Sequence, residues 1–344
     1  MAPAGVAIVN NIDRDIKAEE NRYVVKAGGS DDEKAEFRNC VRWMPPNGKS
    51  IKGIICVAHG IFEHAKCYDE MARMLATYGY AVHAIDHGGH GASSGKRGFV
   101  NSHEEMVEDF VLFTDMVREQ YDSDMPFFIF GHSMGSMITF AALNKICSVA
   151  GVMISGFPAD NGPGSTCLLG IRALFFISKL PITPMLTNML ASMDPNRDAC
   201  PLFVECVTSD EAVRASFDRD ERRCTPIMKN RTADELNKLR HMAVEAIPAV
   251  TSPIMFIHGE HDEIGYATGA QKALERVGTI PEQKSIKIYP KLRHEVINEV
   301  QPARDGVYRD ILTFFETRLK LGGLRGRPWK PYKGSSNRTF NKQT

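Results

Sequence analysis

The chain has no net charge: 42 Lys and Arg balance 42 Asp and Glu across 344 residues. That balance gives no reason to expect nucleic acid as a partner, since phosphates are met by an excess of basic side chains. No run of 18 apolar residues occurs, so no segment reads as membrane-spanning. The opening stretch, MAPAGVAIVNNIDRDIKAEE, lacks a basic start followed by a long apolar run. A secretory signal is therefore not expected, and a cytoplasmic location is. Eight cysteines stand at 40, 56, 67, 147, 167, 200, 206 and 224, with no Cys-x-x-Cys pair and no Cys/His cluster of zinc spacing. Free thiols in a reducing compartment are expected, and no metal. With no secretory route, Asn230-Arg231-Thr232 and Asn337-Arg338-Thr339 are chance matches to the glycosylation pattern.

What is present suits a large folded core, with 43% hydrophobic and 24% charged residues. Six short apolar runs read as buried parallel strands: 51–59, 80–86, 127–131, 150–155, 253–259 and 285–290. Helical patterns at 69–79, 103–122, 267–278 and 305–320 separate or follow them. The alternation predicts a doubly wound, mostly parallel α/β sheet flanked by helices. Between 157 and 245 the rhythm breaks. That stretch holds no convincing strand, and prolines punctuate helical segments. It is too long for a loop and reads as an inserted helical cap. Residues 320–344 carry seven Lys or Arg and no acid, which reads as a solvated, disordered tail.

The segment FFIFGHSMGSMITFAALN sets a Gly-x-Ser-x-Gly turn between a strand and a helix. This is the setting of a nucleophile elbow, with Ser133 at its tip. The turn is sharp, so Gly131 and Gly135 let the two backbones pass closely. The helix behind Ser133 offers free N–H groups to developing negative charge. A serine hydroxyl needs a base to take its proton, and the base needs an orienting acid. Downstream, PIMFIHGEHDEIGY offers Asp262 in the loop after a strand, with Glu260 and Glu263 as rivals. SIKIYPKLRHEVINE offers His294 after the next strand. The order Ser, Asp, His is that of α/β-hydrolases. His132 belongs to the elbow, and its side chain is expected to point away from the reaction. The Gly-rich loop DHGGHGASSG (86–95) is not a dinucleotide fingerprint, and its Asp86 reads as a brace for the loop. Two N–H donors are needed for an oxyanion. Met134 supplies one, and Ile61 in VAHGIFEH supplies the other.

Taken in order, HGIFEH, DHGGHGASSG, GHSMG, GEHDEI and LRHEVINE resemble the motif set of the monoacylglycerol lipases and related lysophospholipases of the serine α/β-hydrolase superfamily. The resemblance covers roughly residues 35–320. It implies an α/β-hydrolase fold with a lid and a serine esterase needing no cofactor or metal. Its substrate would be a lipid ester, a monoacylglycerol or lysophospholipid. It implies Ser133 as nucleophile, Asp262 as acid, His294 as base, and the Ile61 and Met134 amides as the oxyanion hole. Glu63 and His64 match a family pair near the glycerol end. The lid region is poorly matched, and the basic tail has no counterpart in the family pattern.

The expected organisation is an N-terminal extension (1–34), a hydrolase core in two parts (35–156 and 246–320), a helical cap (157–245) and a basic tail (321–344). The most apolar cap stretch, CLLGIRALFFISKL (167–180), sets Leu168, Ile171 and Phe175 along one face and Arg172 and Lys179 on another. Those three apolar residues are expected to line an acyl-chain tunnel. The same helix and the basic tail are candidates for peripheral membrane contact. Two other functions remain open: a lysophospholipase or broader carboxylesterase, and a non-catalytic binding module on the same fold.

Overall fold

The computed structural model describes residues 12–26, 35–159, 183–321, 329, 331–332 and 340–342. Five consecutive parallel pairings build the centre of its main sheet: β3 (Gly53–Ala58) with β4 (Tyr80–Ile85) and with β5 (Phe127–His132), β5 with β6 (Gly151–Ser155), β6 with β9 (Ile254–Gly259), and β9 with β10 (Lys284–Tyr289). These are the six expected strands, each within two residues of its expected ends. Every residue of β3, β4, β5 and β6 is buried. Helices cover both faces, so both faces must be apolar, which is why these strands read as continuous hydrophobic runs. On one face, α1 (Asp69–Thr77) and α8 (Ala303–Lys320) pack with Tyr68, Leu75, Ile311 and Phe315. On the other, α2 (His103–Arg118), α3 (Met134–Ala142) and α7 (Ala267–Arg276) pack with Phe110, Phe113, Ile138 and Ala273.

The sheet extends beyond expectation at one edge. β1 (Ala18–Lys26) and β2 (Glu36–Trp43) add antiparallel strands next to β4, so part of the expected N-terminal extension belongs to the main sheet. Their polar residues hid them. Register partners Glu19 and Arg42 pair across the strands, with Arg42 Nη2 2.7 Å from Glu19 Oε2. The last strand is β11 (Asn341–Lys342), which pairs with β1. The described part of the tail is therefore docked rather than solvated. Trp329 Nε1 and the Tyr332 amide donate to the two Asp115 carboxylate oxygens of α2 at 3.1 and 2.6 Å.

Within 157–245 the described residues form α4 (Thr183–Met193), α5 (Glu211–Arg219) and α6 (Asn230–Ala246). The reading of this region as strand-free is corrected by a small antiparallel ladder, β7 (Asp198–Pro201) with β8 (Ile227–Lys229). Strands of four and three residues are too short to show a period. The second half of α6 also leaves the cap, since Leu239 and Ala243 are buried in the core cluster of the main sheet. Cys40, Cys56, Cys67 and Cys224 are free thiols. Cys206 departs from the expectation because it is disulfide-bonded.

The strand order is β10-β9-β6-β5-β3-β4-β2-β1-β11. The chain winds from β3 outward to β4, then crosses back to start β5 on the other side. The loops leaving β3 and β5 thus diverge at a switch point, the place where open α/β sheets hold ligands.

Candidate active site

Ser133 joins β5 to α3 as the helix N-cap, with φ +50° and ψ −118°. A non-glycine residue there is strained by about 1–3 kcal/mol, so the surroundings must hold it. The Ser133 N–H donates to Ser155 O of β6 at 2.9 Å, and Ser133 O accepts from Ser136 N at 2.9 Å. The flanking glycines permit the approach. A Cβ on Gly135 would lie 2.0 Å from Ala58 O at the end of β3, and one on Gly131 would lie 2.7 Å from Gly135 O. The turn is thus wedged against β3, and Ser133 is itself buried.

His294 follows β10, and Asp262 follows β9. His294 Nδ1 lies 2.8 Å from Asp262 Oδ2. Asp262 Oδ1 accepts from the Ile264 and Gly265 amides at 2.9 and 3.0 Å. Burial alone would raise the Asp262 carboxyl, but His294 and His258 beside it hold it well below the usual carboxylate range. Burial likewise works against charge on His294, yet Asp262, then Glu295 and Glu63, raise its affinity for a proton above the ordinary histidine value. His294 Nε2 is buried and has no hydrogen-bond partner among the described residues. Ser133 and His294 line one cavity, together with Gly60, Ile61, Glu63 and His132. Glu260 is turned elsewhere, with Oε2 accepting the Lys291 amide at 3.1 Å and more than half its side chain exposed.

The loop after β3 is equally fixed. The Gly60 N–H donates to Glu63 Oε2 at 2.7 Å, and Phe62 adopts φ +64°. Ile61 lines the cavity, and Met134 starts α3. Neither of their N–H groups is engaged in a turn or loop hydrogen bond among the described residues. Asp86 braces the next loop, accepting the Ala65 and Ala92 amides at 2.7 and 2.8 Å. Glu63 reaches the cavity, whereas His64 turns to the cap, with Nε2 2.8 Å from Asp220 Oδ2. The expected cap residues Leu168, Ile171 and Phe175 lie outside the described residues. Leu202, Val207 and Phe217 supply the apolar wall from the cap side.

The placement of His132 is a correction. Its ring does not point away but packs 4.9 Å from the His294 ring and lines the cavity. Burial, then the neighbouring His294, pushes it down to about 3, so it is neutral at ordinary pH. Sequence reasoning also missed three groups. His258, the penultimate residue of β9, places Nε2 2.9 Å from Asp262 Oδ2. Gly156, at φ +57°, leaves room for the base, since a Cβ there would sit 2.9 Å from His294 Cε1. Glu295 adds a buried carboxyl to the cavity wall. The residue after the base was the available signal for Glu295, but an acid there means nothing until its neighbours are known.

Two groups of side chains are close enough to share a cation: Glu63, His132 and Glu295, and His103, Glu104 and Glu235. In the first, Glu63 Oε2 already accepts the Gly60 N–H and the Tyr68 hydroxyl, each at 2.7 Å. In the second, His103 Nδ1 and its amide are bonded to Glu235 Oε2 at 2.6 and 2.9 Å. No described helix is long and apolar enough to cross a membrane.

The model of the Hydrolase_4 family (serine aminopeptidase, S33) matches residues 49–301. The chain is 27% identical over 277 residues to the monoacylglycerol lipase of Mycolicibacterium smegmatis, covering 80% of this chain and 92% of that one. It is 26% identical over 295 residues to the monoglyceride lipase of Homo sapiens, covering 85% and 91%. Among solved structures it resembles a soluble variant of monoglyceride lipase from Saccharomyces cerevisiae in complex with a substrate analog. That match has a TM-score of 0.69 at 21% identity and covers 86% of this chain and 96% of that one.

Proposed function

Because the chain belongs to the Hydrolase_4 (serine aminopeptidase, S33) family, with the α/β-hydrolase fold, we propose that it hydrolyses the ester bond of monoacylglycerols to fatty acid and glycerol. The observation that carries the reading is the Asp262–His294 couple, whose unpartnered Nε2 faces the cavity that holds the strained Ser133. His294 takes the Ser133 proton as Oγ attacks the ester carbonyl. The Ile61 and Met134 amides receive the oxyanion. His294 then protonates the departing glycerol, and water enters by the same route to release the acid. His258 and the Ile264 and Gly265 amides hold Asp262 in place for this cycle.

The monoglyceride lipase relatives support the substrate class. At the cavity's edge the cap brings the buried guanidinium of Arg223, whose Nε and Nη1 have no hydrogen-bond partner among the described residues; burial works against its charge, while Cys67, then Glu295, Glu63 and Asp220, favour it. The core takes in β1, residues 35–156, the second half of α6 and the chain on to 320, and the cap runs from 157 to the middle of α6. Peripheral membrane contact falls to the apolar cap stretch 167–180, because the described residues of the tail are docked on α2 and β1.

The test is a panel of long-chain monoacylglycerol, lysophosphatidylcholine, diacylglycerol and a short aryl ester, with Ser133→Ala as control. Monoacylglycerol should release fatty acid selectively. Ser133→Ala should lose about four orders of magnitude or more in kcat while keeping its thermal stability. Turnover retained by Ser133→Ala would remove the mechanism, and preference for the lysophospholipid would remove the headgroup assignment.

A further inference from the structure

Glu295 follows His294 directly and is 2% exposed. Its amide donates to Val207 O of the cap at 2.8 Å, and its Oε2 accepts from Asn298 Nδ2 at 2.8 Å. It lines the same cavity as the carboxyl of Glu63. Polar atoms of Glu63, His132 and Glu295 all lie within 4.8 Å of one another. Two buried carboxylates this close repel each other, so one of them keeps its proton.

Glu63 has a second role. Its Oε2 accepts the Gly60 N–H at 2.7 Å and the Tyr68 hydroxyl at 2.7 Å. Gly60 precedes Ile61, whose amide is assigned to the oxyanion. A line of neighbouring groups thus runs from Glu295 through Glu63 to the loop that must hold that amide still. The other groups facing the pair come from three directions. His132 of β5 is 3.7 Å from Glu63 Oε1 and neutral, and His294 lies beside it on the loop that carries Glu295. From the cap comes Arg223, its guanidinium 4.1 Å over the Phe217 ring. The Cys67 thiol and Tyr68 phenol, on the segment after the oxyanion loop, are pushed up by burial and stay neutral.

We propose that Glu295 is a positioning residue for ester hydrolysis: it and Glu63 hold one proton between them, and that shared proton fixes the Gly60–Ile61 loop for the oxyanion. The inference rests on the ester-hydrolase reading. Burial, then Glu63, pushes the Glu295 carboxyl up to about 7, while Arg223 pulls it down. The proton therefore leaves just above neutrality. Two facing carboxylates then repel, and Glu63 is no longer held against the Gly60 amide. Turnover should fall on the alkaline side, where a deprotonated His294 would by itself leave it flat.

Glu295→Gln supplies an amide donor where the shared proton was and cannot titrate. Glu295→Ala removes the link. The measurements are kcat and KM for a soluble aryl ester across pH, and the infrared band of a protonated carboxyl read without substrate. The wild-type kcat should fall about tenfold between about pH 7 and about pH 9. Glu295→Ala should lose about tenfold in kcat at neutral pH with KM within about threefold, and Glu295→Gln should regain most of that loss without the alkaline fall. The carboxyl band should be present in the wild type at about pH 6, vanish by about pH 9, and be missing from Glu295→Gln. Glu63→Gln should likewise lack the band, which covers the case of an unfolded Glu295→Ala. An alkaline fall unchanged in Glu295→Gln, or no titrating band in the wild type, would overturn the shared proton alone. No turnover of any ester would overturn the reading beneath it.

Discussion

Asp262 serves two histidines at once, and that decides what its removal does. Its Oδ2 lies 2.8 Å from His294 Nδ1 and 2.9 Å from His258 Nε2. Asparagine keeps the shape but loses the charge and offers a donor where an acceptor is needed, so the wrong imidazole tautomer is favoured. Asp262→Asn should lower kcat by about 10⁴-fold. It should also move the acid limb of the pH–rate profile. In the wild type His294 is raised above its ordinary value of 6.5, so the limb lies above that value. Without the Asp262 charge, burial is left to dominate, and the limb should move to lower pH. Pre-steady-state kinetics with an aryl ester measures both, and an unmoved limb would mean that another group sets it. The Asp262–His294 couple was legible in part because each residue stands just past an apolar run; chain order left Glu260 and Glu263 as rivals to Asp262, and the family resemblance chose between them. His258, Glu295 and Arg223 were not legible. Their roles come from neighbours contributed by distant segments, and no spacing in the chain marks them.

At the scale of elements, the site depends on how closely β3 and the β5–α3 turn approach. The carbonyl of Ala58 occupies the space a side chain at 135 would need, at 2.0 Å from its Cβ. A backbone carbonyl in a buried strand cannot swing aside as a side-chain tip can. Gly135→Ala should therefore destabilise the fold by about 1–3 kcal/mol, the usual cost of overpacking, and push Ser133 off its turn. Thermal denaturation and kcat should fall together; an active variant of unchanged stability would show that the turn is not wedged as described. The same closeness explains what could be read. The six parallel strands are covered on both faces, so their sequences are apolar throughout. β1 and β2 lie at the antiparallel edge and carry cross-strand charges such as Glu19 and Arg42, so they show no such run. The tail read as solvated because composition counts its basic residues. It does not show that Trp329 has a carboxylate waiting on α2, or that the Arg118 guanidinium lies 5.5 Å over the Trp329 ring.

Over the whole molecule, six buried histidines set the response to acid. His59, His83, His90 and His132 are held down to about 3, His87 well below its ordinary value and His64 below it, in each case chiefly by burial. Three of them form one stack, with the His59 ring 4.4 Å from His87 and 5.4 Å from His90. The folded protein keeps these rings neutral, whereas the unfolded chain protonates them near 6.5. Between about 3 and 6.5 the unfolded state therefore binds more protons, and stability rises with pH. Each histidine that the fold holds neutral contributes up to about 1.4 kcal/mol per pH unit in that window. Glu295 opposes them, because its carboxyl, raised to about 7, is protonated in the fold where the unfolded chain has released its proton. Asp115, raised chiefly by burial, opposes them too, which leaves two carboxyls against six histidines. His294, also raised, acts above 6.5 and favours lower pH there, so it does not rescue the acid side. Glu20 and Glu235, held down to about 2, deepen the loss only below the ordinary carboxylate range. The melting temperature should thus fall steeply from about pH 6.5 to about pH 5, before most carboxylates titrate. His83 allows this to be checked away from the site, since its Nε2 meets only the Tyr121 hydroxyl, at 2.7 Å, among its described hydrogen bonds. His83→Gln keeps a polar group for that hydroxyl but cannot take up a proton. It should lower the dependence of unfolding free energy on pH by up to one proton's worth, while leaving the rate profile of the active site in place. An unchanged slope in His83→Gln would mean that acid acts on this fold through some other group.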